Sequence, residues 1–437
     1  MYDAIIIGSG PAGYECARFI HELGGTAAII EKYKIGGCCT NYGCIPTKAM
    51  HASATFAQQL KRAKSLGVDV PSYTFNFREI MERKARIAEE MSKGVSYILN
   101  QAKADVIQGE AKIKDANTVI VEGKEYQAKN IVIATGAKPR LLPGLEVNSA
   151  IMTSTELLEL KEKPSSLAII GGGYIGSEFA SIMSSFDIKV TIIEGMARLV
   201  SVEDEDTSKK LHSMLQKLGV EIFLNAKFKS VEGGKIAFEH EGQEKNAEAD
   251  KILVAVGMSP VFNKEELDAV GVKYDKGILV HKNMKTSVPN IYAIGDVTGQ
   301  IMLAHYAYAQ AEVAAKNIMG QKAELDPSVV PSAIFTIPEI SSVGIRDGSF
   351  PSVKFLFSAN GKAQAMDEAE GFIKIYYEGD ELKGFSAIGP HASDLVAEAA
   401  LAIKNKIPLS KIEETIHVHP TLSEAFKGAV QMALKKA

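Results

Sequence analysis

Ile5-Ile6-Ile7-Gly8-Ser9-Gly10-Pro11-Ala12-Gly13 stands near the start of the chain, and the pattern returns as Ile169-Ile170-Gly171-Gly172-Gly173-Tyr174-Ile175-Gly176. Each copy is an apolar run, read as a buried strand, that feeds a G-x-G-x-x-G turn. Each continues with a helical stretch, Tyr14 to Leu23 or Ser177 to Phe186, and a second strand ending on an acid, Glu31 or Glu194. From the last fingerprint glycine to that acid is 18 residues in both copies. The spacing has a physical cause. A strand, a tight turn, a helix and a parallel return strand carry a carboxylate to the ribose of a dinucleotide while its pyrophosphate sits at the helix N-terminus. Glycine is needed where the backbone nears the phosphates and where helix packs on strand. One copy could be a chance turn, but two in the same register imply two dinucleotides.

Outward from the turns, each unit closes on an apolar strand and a glycine: Ile131-Val132-Ile133-Ala134-Thr135-Gly136 and Ile252-Leu253-Val254-Ala255-Val256-Gly257. The interval from last fingerprint glycine to closing glycine is 123 residues in the first unit and 81 in the second, and the extra 42 include a cysteine cluster. That cluster is Gly36-Gly37-Cys38-Cys39-Thr40-Asn41-Tyr42-Gly43-Cys44-Ile45-Pro46-Thr47-Lys48. On an ideal helix, residues five apart have Cα atoms roughly 8 to 9 Å apart, beyond the ~4.4 to 6.8 Å a disulfide spans. A Cys39–Cys44 bridge therefore needs a non-helical turn, which Gly43 can supply. Pro46 suits the first turn of a helix running through Lys48, and a cysteine at that N-terminus has its thiolate favoured by the helix dipole. The competing reading is a zinc site using these thiols and His51, against which stand the irregular spacing and the lack of a second two-cysteine pair. Cys38 is a passive small residue or a third redox partner, and Cys16 reads as core.

Composition is that of an ordinary globular chain: 437 residues, suggesting about three domains, with 49 Lys plus Arg against 53 Asp plus Glu and a net charge of -4. No basic stripe points to nucleic acid or an anionic membrane, and no apolar run approaches the ~20 residues that span a bilayer. A strand begins directly after Met1, leaving no room for a leader, so a cytoplasmic location is expected. Four cysteines, three of them clustered, suit redox or metal chemistry in a reducing compartment rather than a secreted framework.

With these residues in hand, the chain resembles the pyridine nucleotide-disulfide oxidoreductases. Two fingerprints accompany the Gly-Gly-x-Cys-x-Asn-x-Gly-Cys-Ile-Pro-x-Lys segment. Supporting runs are Asn290-Ile291-Tyr292-Ala293-Ile294-Gly295-Asp296, Met302-Leu303-Ala304-His305, Phe335-Thr336-Ile337-Pro338-Glu339 and His417-Val418-His419-Pro420-Thr421-Leu422-Ser423-Glu424. The last run and Met302 to His305 favour the member that oxidises dihydrolipoyl dithiols over the glutathione and mercury members. The resemblance implies an α/β fold of two Rossmann-like dinucleotide domains plus a C-terminal α+β dimerisation domain. The implied boundaries are 1–145 for FAD and the redox disulfide, 146–262 for NAD, 263–325 completing the FAD domain, and 326–437 for the interface.

It also implies roles. In the FAD unit, Gly8, Gly10, Gly13, Thr135, Gly136 and Gly295 form the cradle, Glu31 holds the adenosine ribose, and Lys48 lies near the flavin. Asp296 holds the ribityl or phosphate portion, and Met302, Leu303, Ala304 and His305 run along the ring. In the NAD unit the residues are Gly171, Gly173, Gly176, Glu194 and Gly257, with Glu178 matching the acid that pairs with the flavin-side lysine. Cys44 is implied as the thiolate against the flavin, Cys39 as the thiol that exchanges with substrate, and His419 as a base supplied by the partner of a homodimer. Thr421 to Glu424 also fits a capping box, so Glu424 either caps a helix or orients His419, and His419 itself could be a packed core residue. A dithiol must lose a proton to become nucleophilic, and a carboxylate-oriented histidine suits that task.

Three positions depart from the family: Cys38 stands where threonine is usual, Gly257-Met258-Ser259-Pro260 lacks the customary arginine, and Arg346-Asp347-Gly348-Ser349-Phe350-Pro351 replaces a short acidic helix. The expected reaction is oxidation of a dihydrolipoyl dithiol by NAD through the Cys39–Cys44 disulfide and FAD, on a free substrate or a lipoyl-bearing multienzyme complex. The rivals are a related reductase for another small disulfide or a metal ion, and a non-enzymatic structural or metal-binding subunit.

Overall fold

Strand Tyr2–Ile7 holds the centre of the first sheet because both of its faces are covered, which is why its sequence is a continuous apolar run rather than an alternation. The computed structural model describes residues 1–436 and divides into two compact units by internal contact. The first comprises Met1–Ala49, Met81–Arg140 and Gly257–Asp326. Here Tyr2–Ile7 pairs in parallel with Ala27–Glu31 and with the second half of Lys124–Ile133. Asp105–Gln108 extends one edge and Ile291–Ala293 the other, both parallel. The first half of Lys124–Ile133 turns antiparallel to Thr118–Val121, so one strand serves two sheet types. Ile6, Ile29 and Val132 bury one face under helices Pro11–Glu22 and Ala304–Ile318. Ile5, Ile7, Ile30, Ile131 and Ile133 bury the other against Ile278 and Ile291. Truncating a fully buried member such as Ile29 to Ala costs roughly 2–5 kcal/mol.

The second unit comprises Met50–Ile80, Leu141–Val256 and Pro327–Ala437. Its parallel sheet runs Glu221–Phe223, Lys189–Ile193, Ser166–Ile170, Lys251–Val254, Ile151–Met152, which repeats the strand–helix–strand order of the first unit. A three-stranded antiparallel ribbon spans Lys227–Glu248. The C-terminal part is a five-stranded antiparallel sheet from Ser332 to Gly389, with helices Ala392–Lys404 and Glu424–Leu434 over a core that includes Ile373, Ile375, Phe385 and Phe426.

Helix Glu205–Lys217 is tied to this antiparallel sheet by a buried polar cluster. Asp204 caps the helix by accepting from the Thr207 amide at 3.0 Å, while its other oxygen meets Lys374 Nζ at 2.8 Å and the Tyr376 hydroxyl. Arg346 donates from Nε to the Val202 carbonyl at 3.0 Å and lies 3.7 Å from Glu203 Oε2. No helix among the described residues is long and apolar enough to cross a membrane.

Both fingerprint helices begin three residues before the positions expected from sequence, at Pro11 and Tyr174. The third glycine is therefore inside the first turn, packed on the strand, rather than ahead of the helix.

Candidate active site and cofactor cradles

The two fingerprint turns are superposable in their chemistry. Gly8 and Gly171 have φ of +105 and +107, and a Cβ at either would lie 2.4 or 2.5 Å from the carbonyl oxygen of Ala134 or Ala255. A Cβ at Gly13 or Gly176 would lie 1.9 Å from the carbonyl oxygen of Gly8 or Gly171. Those glycines let the helix sit on the strand. The middle glycines behave oppositely: a Cβ on Gly10 or Gly173 would meet nothing within 4 Å, so open surface faces the N-terminus of each 12-residue helix. Exposed amides and the positive end of a helix suit a pyrophosphate, and the residues present fit a dinucleotide in both units.

Each acid at the end of the second strand pins its own turn. Glu31 Oε2 accepts from the Ser9 amide and hydroxyl at 2.9 and 2.7 Å, and Oε1 from the Tyr33 amide at 2.8 Å. Glu194 Oε2 accepts from the Gly172 amide, and Oε1 from the Met196 amide at 2.6 Å. Both carboxylates are buried yet retain lone pairs for ribose hydroxyls.

Around the first cradle, Thr135 donates its hydroxyl to the Val261 carbonyl at 2.5 Å, next to Gly136 with φ +70. A Cβ on Gly295 would lie 3.0 Å from Ala12 Cβ, which sets Asp296 beside the first fingerprint helix. Burial raises the Asp296 carboxyl to about 6, so this group gains from hydroxyl donors brought by a polyol. Leu303 caps helix Ala304–Ile318, placing Met302 before its N-terminus and His305 exposed in its first turn. Gly257, which opens the last stretch of the first unit, has φ +104. In the second unit Glu178 is buried with Oε1 accepting from the Phe335 amide at 2.8 Å. The Phe335-to-Glu339 run thus orients that acid, assisted by His51, whose Nε2 lies 3.3 Å from the Thr336 carbonyl.

The cysteines lie where the fingerprint turn meets two helices. The Gly36 amide donates to Ser9 Oγ at 3.1 Å, and buried Asn41 donates from Nδ2 to the Ile35 and Gly37 carbonyls at 3.0 Å each. Cys38 and Cys39 occupy a short helix, Gly37–Asn41, that breaks at Tyr42 and Gly43, and Cys44 opens helix Cys44–Arg62 with Pro46 in its first turn. The break falls between Cys39 and Cys44, with Gly43 in it, as the spacing requires. Gly43 serves it by close approach, since a Cβ there would be 3.2 Å from the Cys38 carbonyl oxygen. None of the four cysteines is bridged by a disulfide. Cys39 and Cys44 are hydrogen-bonded thiols, and that bond, then burial, raises the Cys39 thiol, with Lys48 acting in the opposite sense. Cys16 is fully buried, its thiol pushed up to about 12 by burial. Tyr14 and Tyr308, not singled out in the sequence, bring their hydroxyls 3.0 Å apart, and burial raises both phenols; the one available signal was Tyr14 directly after the third glycine.

His419 and Glu424 form a pair. His419 Nδ1 is 2.9 Å from Glu424 Oε1, and the other oxygen accepts from the Thr421 amide at 2.8 Å. The Thr421 amide and then His419 hold the Glu424 carboxyl below its usual range. The two readings of Glu424 coincide in one side chain. His419 is 79% exposed, not a core residue, and its neighbours Ile416 and Val418 expose 94% and 74% of their surface. His417, by contrast, is tucked in with Nε2 2.9 Å from Glu398.

Residues 2–311 match the pyridine nucleotide-disulphide oxidoreductase family and residues 330–430 its dimerisation domain. The chain is 38% identical to a dihydrolipoyl dehydrogenase of Staphylococcus aureus, over 99% of this chain and 96% of that one. It is 37% identical to that of Geobacillus stearothermophilus at the same coverage. Among solved structures it is similar to LpdA from Mycobacterium tuberculosis, with a TM-score of 0.90 and 26% identity over 98% of this chain and 99% of that one. It is also similar to the HOCl-induced flavoprotein disulfide reductase RclA from Escherichia coli, with a TM-score of 0.88 and 27% identity over 99% and 100%.

Proposed function

We propose, from the premise that the chain belongs to the pyridine nucleotide-disulphide oxidoreductase family, that Cys39, Cys44, His419 and Glu424 carry out its dithiol chemistry. The reaction is oxidation of a dihydrolipoyl dithiol to the cyclic disulfide with reduction of NAD to NADH, the activity named in its full-length relatives. The single observation that carries the assignment is the adjacency of the Cys39 and Cys44 thiols at the edge of a cradle that fits a dinucleotide.

FAD, held by the first cradle with Glu31 and Asp296, supplies a two-electron carrier between the thiol pair and the nicotinamide dinucleotide held by the second. The chain's own groups do the rest. Glu424 fixes the His419 ring through Nδ1, which leaves Nε2 as the proton-accepting nitrogen. In a homodimer, His419 of the partner subunit takes the proton from a substrate thiol. The substrate thiolate attacks Cys39 Sγ, and Cys44 leaves as thiolate. The second substrate sulfur then displaces Cys39, closing the lipoyl disulfide and leaving the pair reduced. Lys48 favours the Cys39 thiolate electrostatically. A reducing cytoplasm and a lipoyl-bearing multienzyme complex are the setting this chemistry suits.

The test is a steady-state assay of purified protein against dihydrolipoamide, other dithiols, small disulfides and metal ions, with NAD and NADP in parallel. Turnover with dihydrolipoamide and NAD should dominate. Preference for another disulfide would favour a disulfide reductase of the RclA kind, preference for an ion a metal reductase, and full turnover by both Cys39→Ser and Cys44→Ser would end the assignment.

A further inference from the structure

We propose that Cys38 is a third redox thiol of this chain, exchanging into the active pair as a Cys38–Cys44 disulfide when the first cradle holds no flavin, and that this isomer blocks cofactor loading. The inference rests on the reading of that cradle as the FAD site.

The placement of residues 36 to 44 carries it. Gly37 is pressed onto the fingerprint, since a Cβ there would lie 2.6 Å from Gly10 Cα. The short helix therefore starts on the middle glycine of the turn, the one that faces open surface, and Cys38 is its second residue. Cys38 is exposed at this point rather than packed in the core. Its sulfur lies against the residue that precedes Cys44: a Cβ on Gly43 would be 3.5 Å from Cys38 Sγ. The third thiol thus lies within van der Waals reach of the residue next to Cys44. The charges of Cys44 and Asp296 are both felt at Cys38, and those of Cys44 and Cys38 at Cys39. Three sulfurs and the cradle carboxylate thus share one neighbourhood.

The chemistry balances without an outside oxidant. Starting from the Cys39–Cys44 disulfide, Cys38 thiolate attacks Cys44 Sγ. The 38–44 bond forms as the 39–44 bond breaks, and Cys39 leaves as thiolate and takes up the proton that Cys38 gave. The isomer ties Cys38, the residue after the glycine pressed onto Gly10 and within the field of Asp296, to Cys44 and leaves Cys39 outside the bridge. Although Cys38 keeps exposed surface, the protein atoms crowded around its sulfur, and then Cys44, push its thiol up to about 12. Exchange at neutral pH is accordingly slow, in the range of minutes to hours typical of uncatalysed rearrangement.

The experiment uses the full-length chain stripped of flavin and oxidised, as wild type, Cys38→Ser and Cys39→Ser. Free thiols are blocked at intervals and disulfides mapped by peptide mass spectrometry, while FAD uptake is followed by fluorescence quenching with and without dithiothreitol. Wild type should accumulate the Cys38–Cys44 linkage and slow its uptake at least about tenfold, with recovery on reduction. Cys38→Ser should take up FAD equally with and without reductant, and Cys39→Ser should close Cys38–Cys44 quantitatively. The proposal falls if wild type shows only Cys39–Cys44, if Cys39→Ser keeps two free thiols, or if uptake is lost equally in Cys38→Ser. A freshly reduced wild type that takes up no FAD would overturn the cofactor reading instead, while the disulfide map still decides the exchange.

Discussion

Asp296 is a carboxylate placed where burial works against its charge, and the cost has a sign that can be checked. Burial pushes its folded pKa up to about 6, above the ordinary aspartate value of 3.8. A raised acid contributes stability below its unfolded pKa and loses it as pH climbs through the folded one. In flavin-free protein, Asp296→Asn should therefore raise the melting temperature by roughly a few degrees at pH 8 and leave it unchanged at pH 3.5. The same variant should bind FAD more weakly; a flat difference across pH would show that the carboxylate pays no burial cost. His419 poses a different question, because its partner Glu424 also serves the Thr421 amide. Loss of a proton-transfer group costs about 10² to 10⁴ in rate, so His419→Ala should lose that factor in dihydrolipoamide turnover. Reduction from the NADH side needs no thiol deprotonation and should survive. Glu424→Ala should be milder in rate and also lower the melting temperature. Rapid mixing from each side decides the matter, and an equal loss in both half-reactions would make the motif structural.

At the level of elements, the fingerprint works as a steric fit between a helix and a strand. The 1.9 Å approach that a Cβ would make at Gly176 involves backbone on both sides, so no side chain can yield. Gly176→Ala should push the helix off Ser166–Ile170 and abolish dinucleotide binding in the second unit while the flavin spectrum of the first persists. Calorimetric titration with NAD, read beside the visible absorbance, separates the two. Glu194 at the strand end accepts hydrogen bonds and repels a 2′-phosphate, so kcat/KM should favour NAD, and Glu194→Ala should narrow the preference. These elements were readable in sequence because strand, turn and acid lie within a few tens of residues and each position is sterically constrained. The cysteine segment was readable only in part. Spacing demanded a break between Cys39 and Cys44, but nothing local announced that Gly37 would abut Gly10, since that contact joins two loops. The pinning of Glu31 by Ser9 was hidden for the same reason: the ribose role and the turn-anchoring role ask for the same residue.

For the molecule as a whole, the least readable features are those that join distant segments. Lys374 and Asp204 are 170 positions apart, and neither lies in a motif, yet their buried pair fastens helix Glu205–Lys217 to the C-terminal sheet. Removing one member of such a pair leaves an uncompensated charge, at about 3–5 kcal/mol. The matched dimerisation domain gives the remaining step. Ile416 and Val418 flank His417 and His419 and stand almost bare in the single chain, an unusual exposure for β-branched side chains unless a second copy covers them. The cover would also deliver His419 to the dithiol site. A doubly charged variant, Ile416→Asp with Val418→Asp, should then shift the protein from dimer to monomer by light scattering. Dihydrolipoamide turnover should fall by at least about 10², the scale of a lost acid-base group, because the base no longer arrives. Flavin content and reduction by NADH should persist, since neither cradle contains these residues. A variant that is monomeric yet fully active would place the base within one chain, and one that remains dimeric would move the interface to another face.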